Sequence, residues 1–363
     1  MNRFHVLKFR FGFGSQASRL HVSERHRLNQ NARTPKLIPS ARKEMFLPRL
    51  LQALLLSIGG LLMLAPLLLN AQQPAPGFQR IQRIQQIQRL APIEIESPPP
   101  ATALTDEDFA KHVVQLKQRL PHDDFHIVIQ KPFVVVGDAG KANVERAATG
   151  TVEWAVKRIK ATYFKHDPDH IIDIWLFKDA ESYNKHNELL FEKKPTTPYG
   201  YYSPADKALV MNISTGGGTL VHEIVHPFMA RNFPACPAWF NEGLASLYEQ
   251  SRDANGQIMG STNWRLRGLQ LAIEDNRLPS FKELCSTTTR EFYDGHGTNY
   301  AQARYLCYYL QEKKLLTKYY HAFVKSARLD PTGYETLQQI LDRDDMDQFQ
   351  AEWQKYVSKL RFP

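Results

Sequence analysis

Cysteine is scarce in this 363-residue chain: Cys236, Cys285 and Cys307 are the only three, and no two stand in a CxxC spacing. That excludes a thiolate-based zinc knot and a disulfide-stapled scaffold, since at most one bridge could form. Core or near-core thiols are the expectation, with Cys236 the one nearest the chemistry described below. No GxxxxGK[ST] run occurs, so the glycines at 216–218 read as a turn into a helix rather than a phosphate loop. Charge excess is also missing from most of the chain. Of 46 basic and 37 acidic residues, 11 and 2 lie in 1–71, leaving 35 of each sign in 72–363. The formal net charge of +9 therefore belongs to the N-terminal extension, and no nucleic-acid partner is expected of the neutral remainder.

What is present begins with a basic extension, residues 1–44, holding ten of the Lys and Arg residues and no apolar periodicity. Its length suggests that translation starts at Met45. Residues 45–71 then run as a single Arg49 followed by about twenty apolar residues, the layout of a signal peptide with a cleavage site after Ala71. The same stretch is long enough to serve as a retained membrane tether. No cysteine follows it, so a lipid anchor there is not expected. Export to the periplasm or outside the cell is expected either way. A Gln/Pro-rich linker follows over 72–104, in which QRIQRIQQIQRL repeats an apolar residue every third position. A period of three drifts around a helix rather than holding one face, so the segment reads as a tether.

Globular patterning starts at Thr105-Asp106-Glu107-Asp108, a capping signature for a helix to about Leu120. FHIVIQ (125–130) and FVVVGD (133–138) read as strands broken around Pro132, and HIIDIWLF (170–177) as a third. Helices are expected over 142–164 and 179–192, and a hairpin over 199–213 with its turn at Ser203-Pro204-Ala205-Asp206. Beyond residue 219 apolar residues recur at three and four, as in YETLQQIL and FQAEWQKYVSKL. The expected class is α+β: a small mixed sheet within 105–218, then a mostly helical part over 219–363.

The chemistry concentrates at the junction. Residues 219–231, TLVHEIVHPFMAR, carry His222-Glu223-Ile224-Val225-His226. On a helix, His222 and His226 share a face and can reach one ion, while Glu223 sits beside them where it can take a proton from water. Pro227 is awkward there, because proline removes a helical N–H. A second apolar segment, PAWFNEGLASLYE (237–249), places Glu242, Ser246 and Glu249 along one stripe. One of these could ligate and another support a ligand histidine. A catalytic zinc needs three protein ligands and an open position, and His222, His226 and Glu242 would supply the three.

HEIVH followed by WFNEGLA resembles the gluzincin peptidases, and within them the peptidase-MA-like branch. The resemblance spans roughly residues 125–360 and is specific over 219–249. It implies a zincin-like fold, zinc as cofactor, and Glu242 of the Asn241-Glu242 pair as third ligand. Glu249, seven residues on, matches a supporting Glu of aminopeptidase-type members, whereas thermolysin-type members carry an Asp where this chain has Ser246. The 15 residues between His226 and Glu242 make a shorter gap than in either group. The resemblance also points to Tyr300, at the start of TNYAQARYLCYYLQEK, as a donor to the oxyanion, with His296 as the alternative donor. The Gly-Ala-Met-Glu-Asn motif of aminopeptidases is absent, so trimming from a free N-terminus is not implied.

The function expected is hydrolysis of a peptide or protein substrate with Glu223 as general base. The alternative is a catalytically silent binding or scaffold domain on the same fold.

Overall fold

A computed structural model of the protein describes residues 104–295 and 298–363, which belong to one compact unit. The basic extension 1–44, the apolar segment 45–71, linker residues 72–103 and His296 lie outside the described residues. Among the described residues, no helix is long and apolar enough to cross a membrane.

The chain opens with helix α1 (Asp106–Arg119), capped as the sequence indicates: the Thr105 hydroxyl accepts from the Asp108 N–H, and the Asp108 carboxylate accepts from the Thr105 N–H. Strands β1 (His126–Gln130) and β2 (Phe133–Gly137) pair antiparallel. A helical run follows as α2 (Lys141–Ala147) and α3 (Trp154–Thr162). The single helix expected over 142–164 is thus interrupted: Ala148–Glu153 winds as a π-helical segment containing Gly150, a residue with little helix preference. After β3 (Ile172–Phe177) come α4 (Ala180–Phe191) and the hairpin β4 (Gly200–Ser203) and β5 (Ala208–Asn212).

The five strands form one sheet in the order β1-β2-β3-β5-β4. The inner strands β2, β3 and β5 run parallel, and the two edge strands run against them. Alternation along the inner strands feeds two cores. Val134, Val136, Trp175, Phe177 and Val210 face Phe109 and Leu116 of α1 and Tyr183 of α4. Phe133, Val135, Ile174, Leu176, Leu209 and Met211 face the opposite way, into a larger core shared with the helical half of the chain.

That half contains α5 (Gly218–Asn232), α6 (Ala238–Leu247), α7 (Arg265–Glu274), α8 (Phe281–Ser286), α9 (Thr289–Asp294), α10 (Thr298–Glu312), α11 (Leu316–Ser326), α12 (Tyr334–Leu341) and α13 (Met346–Lys359). It is not wholly helical. Strands β6 (Ser251–Ala254) and β7 (Gln257–Gly260) make a second, two-stranded sheet. Its turn is Asn255-Gly256, both at positive φ (53° and 85°), the conformation that tight hairpin turns demand. All three cysteines are free thiols; Cys285 and Cys307 are buried, and burial pushes the Cys236 thiol well above its usual range.

One buried titratable group bears on stability. His186 of α4 is 3% exposed, stacked on Phe177 with Phe125 edge-on, and its Nδ1 lies 3.0 Å from Ser182 Oγ while its Nε2 has no partner. Burial lowers its pKa below the ordinary 6.5, against a partial opposing pull from Asp138. The unfolded chain then takes up a proton that the folded ring refuses, so stability falls as the pH drops through about 6.5. Denaturant unfolding of wild type and His186→Phe, compared between about pH 7.5 and about pH 5.5, isolates this contribution: wild type should lose stability relative to the variant as the pH falls.

Candidate metal centre

The site is built on α5, a helix buried on nearly every side: Leu220, Val221, Ile224, Val225, Phe228 and Met229 all enter the larger core. Pro227 lies within it, and the helix continues five residues further to Asn232. The doubt raised by that proline is therefore answered by packing, since Phe228 and Met229 hold the turn that propensity alone would break. Two close approaches place α5 and α6. Gly218 has no room for a side chain against the Glu249 carbonyl, and a Cβ on Gly243 would sit 3.1 Å from the Ala303 carbonyl and from Cys307 Sγ. Glycine lets α6 lie hard against α10, and this sets the depth at which Glu242 enters.

One ligand atom from each of His222, His226 and Glu242 lies within 4.8 Å of the others, so the three side chains converge. Glu242 Oε2 is 3.2 Å from His222 Nε2, and Glu242 Oε1 is 3.8 Å from His226 Nε2. The outer ring nitrogens are held from behind. His226 Nδ1 is 3.0 Å from Asn241 Oδ1, and His222 Nδ1 is 3.1 Å from Glu249 Oε1, close though not in good hydrogen-bond alignment. With Nδ1 of each ring facing an acceptor, Nε2 is the atom turned inward, and it is the one a metal would take as ligand in place of a proton. Glu249 is in turn bound by Arg265 and by Asn263 Nδ2. Ser246 turns away, its hydroxyl donating to the Glu242 backbone carbonyl at 2.5 Å.

The centre gathers charge in a buried place. Glu223 and Glu242 are 8% and 5% exposed. Burial opposes ionisation of Glu242, yet the fields of His226 and His222 and the hydroxyl of Tyr293 hold its carboxyl down at about 2. Burial likewise opposes charging of His222, but Glu242 and Glu249 together raise its pKa well above 6.5. Glu223 goes the other way: burial raises it, helped by the like charge of Glu242 and opposed by the two histidines and the Tyr202 N–H. These acids and imidazoles call for positive charge at their centre. A divalent cation between two imidazoles and a carboxylate would meet that demand, so the residues present fit a metal.

Two further residues border the site. Tyr293, which the sequence reading passed over, donates its hydroxyl to Glu242 Oε1 at 2.7 Å. No motif marks it; it follows Phe292 in a short helix, and only the chain path brings it in. Tyr300 lies beside it, its ring 5.9 Å from that of Tyr293 and 5.9 Å from the Arg265 guanidinium, with burial and the nearby Glu242 carboxylate pushing its phenol far up. Cys236 takes no part in the cluster; its thiol faces the Pro237 carbonyl at 3.6 Å.

Because α6 has no slack at Gly243, a branched side chain there must displace α10. Gly243→Val should cost about 1–3 kcal/mol in denaturant unfolding. Comparison of the chain with protein-family models and with curated proteins finds no match.

Proposed function

We propose that this protein is a zinc-dependent peptidase of gluzincin type on a zincin-like fold, exported through its apolar segment 45–71. The observation that carries the reading is the convergence of His222, His226 and Glu242, with the Glu223 carboxylate beside them, 3.9 Å from His226 Nε2. A site holding metal for structure alone would have no use for that fourth, proton-accepting carboxylate. When bound, zinc would polarise a scissile carbonyl and lower the pKa of a water toward about 7.

The remaining steps fall to the chain. Glu223, raised toward the range useful for proton transfer, takes the proton of the attacking water and passes it to the leaving amine. Its carboxylate is steadied by the Tyr202 N–H, which comes from the edge strand β4. On that strand the Tyr199 carbonyl accepts from Asn212 N, so by alternation Gly200 and Tyr202 direct their main-chain groups away from β5. An extended peptide could pair with Gly200 and with the Tyr202 carbonyl as an added strand, which would bring its backbone alongside Glu223. A hollow beside Tyr202, lined also by Pro227, Asp169 and Arg231, would receive a neighbouring side chain. Tyr300, or else His296, is the donor proposed for the oxyanion.

Glu223→Gln should keep bound zinc and lose about 10²–10⁴-fold in turnover of an unstructured protein substrate. His222→Ala should lose both metal and turnover, and a chelator should abolish wild-type cleavage reversibly. Undiminished cleavage by purified Glu223→Gln would remove the mechanism. Stoichiometric zinc in a wild-type protein that cuts nothing would favour a scaffold.

A further inference from the structure

Glu242 brings two oxygens to the centre, and a carboxylate with both free can chelate a metal through both. Chelation would fill the position that a hydrolytic site keeps for water. Here the two oxygens are differently engaged: Oε2 faces His222 Nε2 at 3.2 Å, while Oε1 accepts the Tyr293 hydroxyl at 2.7 Å. A phenol donating to a carboxylate is a charge-assisted hydrogen bond; it takes one of the two lone pairs of Oε1 and draws charge from that oxygen, which weakens it as a second metal ligand.

The phenol is held in place from two helices. α9 carries a capping box, with Thr288 and Glu291 each accepting from the other's N–H. Asn299 of α10 donates its side-chain amide to the Phe292 carbonyl at 3.2 Å. Tyr293 packs edge-on to Phe292 and beside Tyr300, yet remains 50% exposed. It can therefore reach the buried carboxylate from the solvent side without closing the approach.

We propose that Tyr293 is a positioning residue of this centre: by occupying Oε1 it keeps Glu242 a one-oxygen ligand and so leaves a coordination position open. The inference rests on the metal-site reading above, and it concerns Tyr293, whose phenol touches Glu242 directly, rather than Tyr300.

The test replaces zinc with cobalt in the full chain and compares visible spectra of wild type, Tyr293→Phe and, as control, Tyr309→Phe, a tyrosine of α10 that packs on Phe349 and Tyr356, each titrated with azide as a probe of the open position. Wild type and Tyr309→Phe should show the strong absorption of four-coordinate cobalt and respond to azide at low concentration. Tyr293→Phe should show a weaker, shifted band of higher coordination number and require markedly more azide. Identical spectra and azide responses for wild type and Tyr293→Phe would overturn the inference while leaving the peptidase reading intact. Equal changes in both tyrosine variants would overturn it too. A wild-type protein that takes up no cobalt or zinc would end both together.

Discussion

Three carboxylates, two imidazoles and one guanidinium share a small volume from which water is nearly excluded. Glu223, Glu242, Glu249, His222, His226 and Arg265 cannot be buried separately, because each ion leaving water costs several kcal/mol unless a partner meets it. Their mutual placement is the constraint on the rest of the structure. It requires α5 and α6 to lie close, and it requires the far side of each imidazole to have an acceptor. The acceptors come from α6 and the turn that leaves it, through Asn241 and Glu249, so one pair of helices with its exit turn both forms the site and orients it.

Other parts of the fold serve that pair from a distance. The edge strand β4 lends the Tyr202 N–H to Glu223, tying the sheet to that buried carboxylate. The β6–β7 hairpin returns the chain so that Asn263 and Arg265 reach Glu249. Arg304, fully buried, donates to the carbonyls of Ser246 and Ser261, joining the end of α6 to the segment after the hairpin. Removing one of these supports need not unfold the protein. It would let a ring or a carboxylate rotate, and a centre of this kind tolerates little rotation.

Local signals in the chain were legible where they act over a few residues. The Thr105–Asp108 box, the alternation in FVVVG and IDIWLF, and the i, i+4 histidines each follow from backbone geometry alone. Pro227 and Gly150 show the limit. One sits inside an intact helix because its neighbours are buried, and the other lies in a π-helical segment that periodicity does not reveal. Asn255-Gly256 was a readable hairpin signal, obscured by the helical pattern on either side.

From the sequence alone came the class of fold, the identity of the two histidines and Glu223, and a stripe of residues on the next helix from which a third ligand could come. Those follow from spacing within one helix, a property the chain carries locally. Tertiary structure decided that the Glu242 carboxylate meets both imidazoles, that Glu249 stands behind His222, and that the Tyr293 hydroxyl bonds to that carboxylate. Such facts depend on how closely α6 can approach α5 and α10, which is set by packing at Gly218 and Gly243. A phenol fifty-one residues from its carboxylate partner has no periodicity to announce it; only the closed core brings the two together.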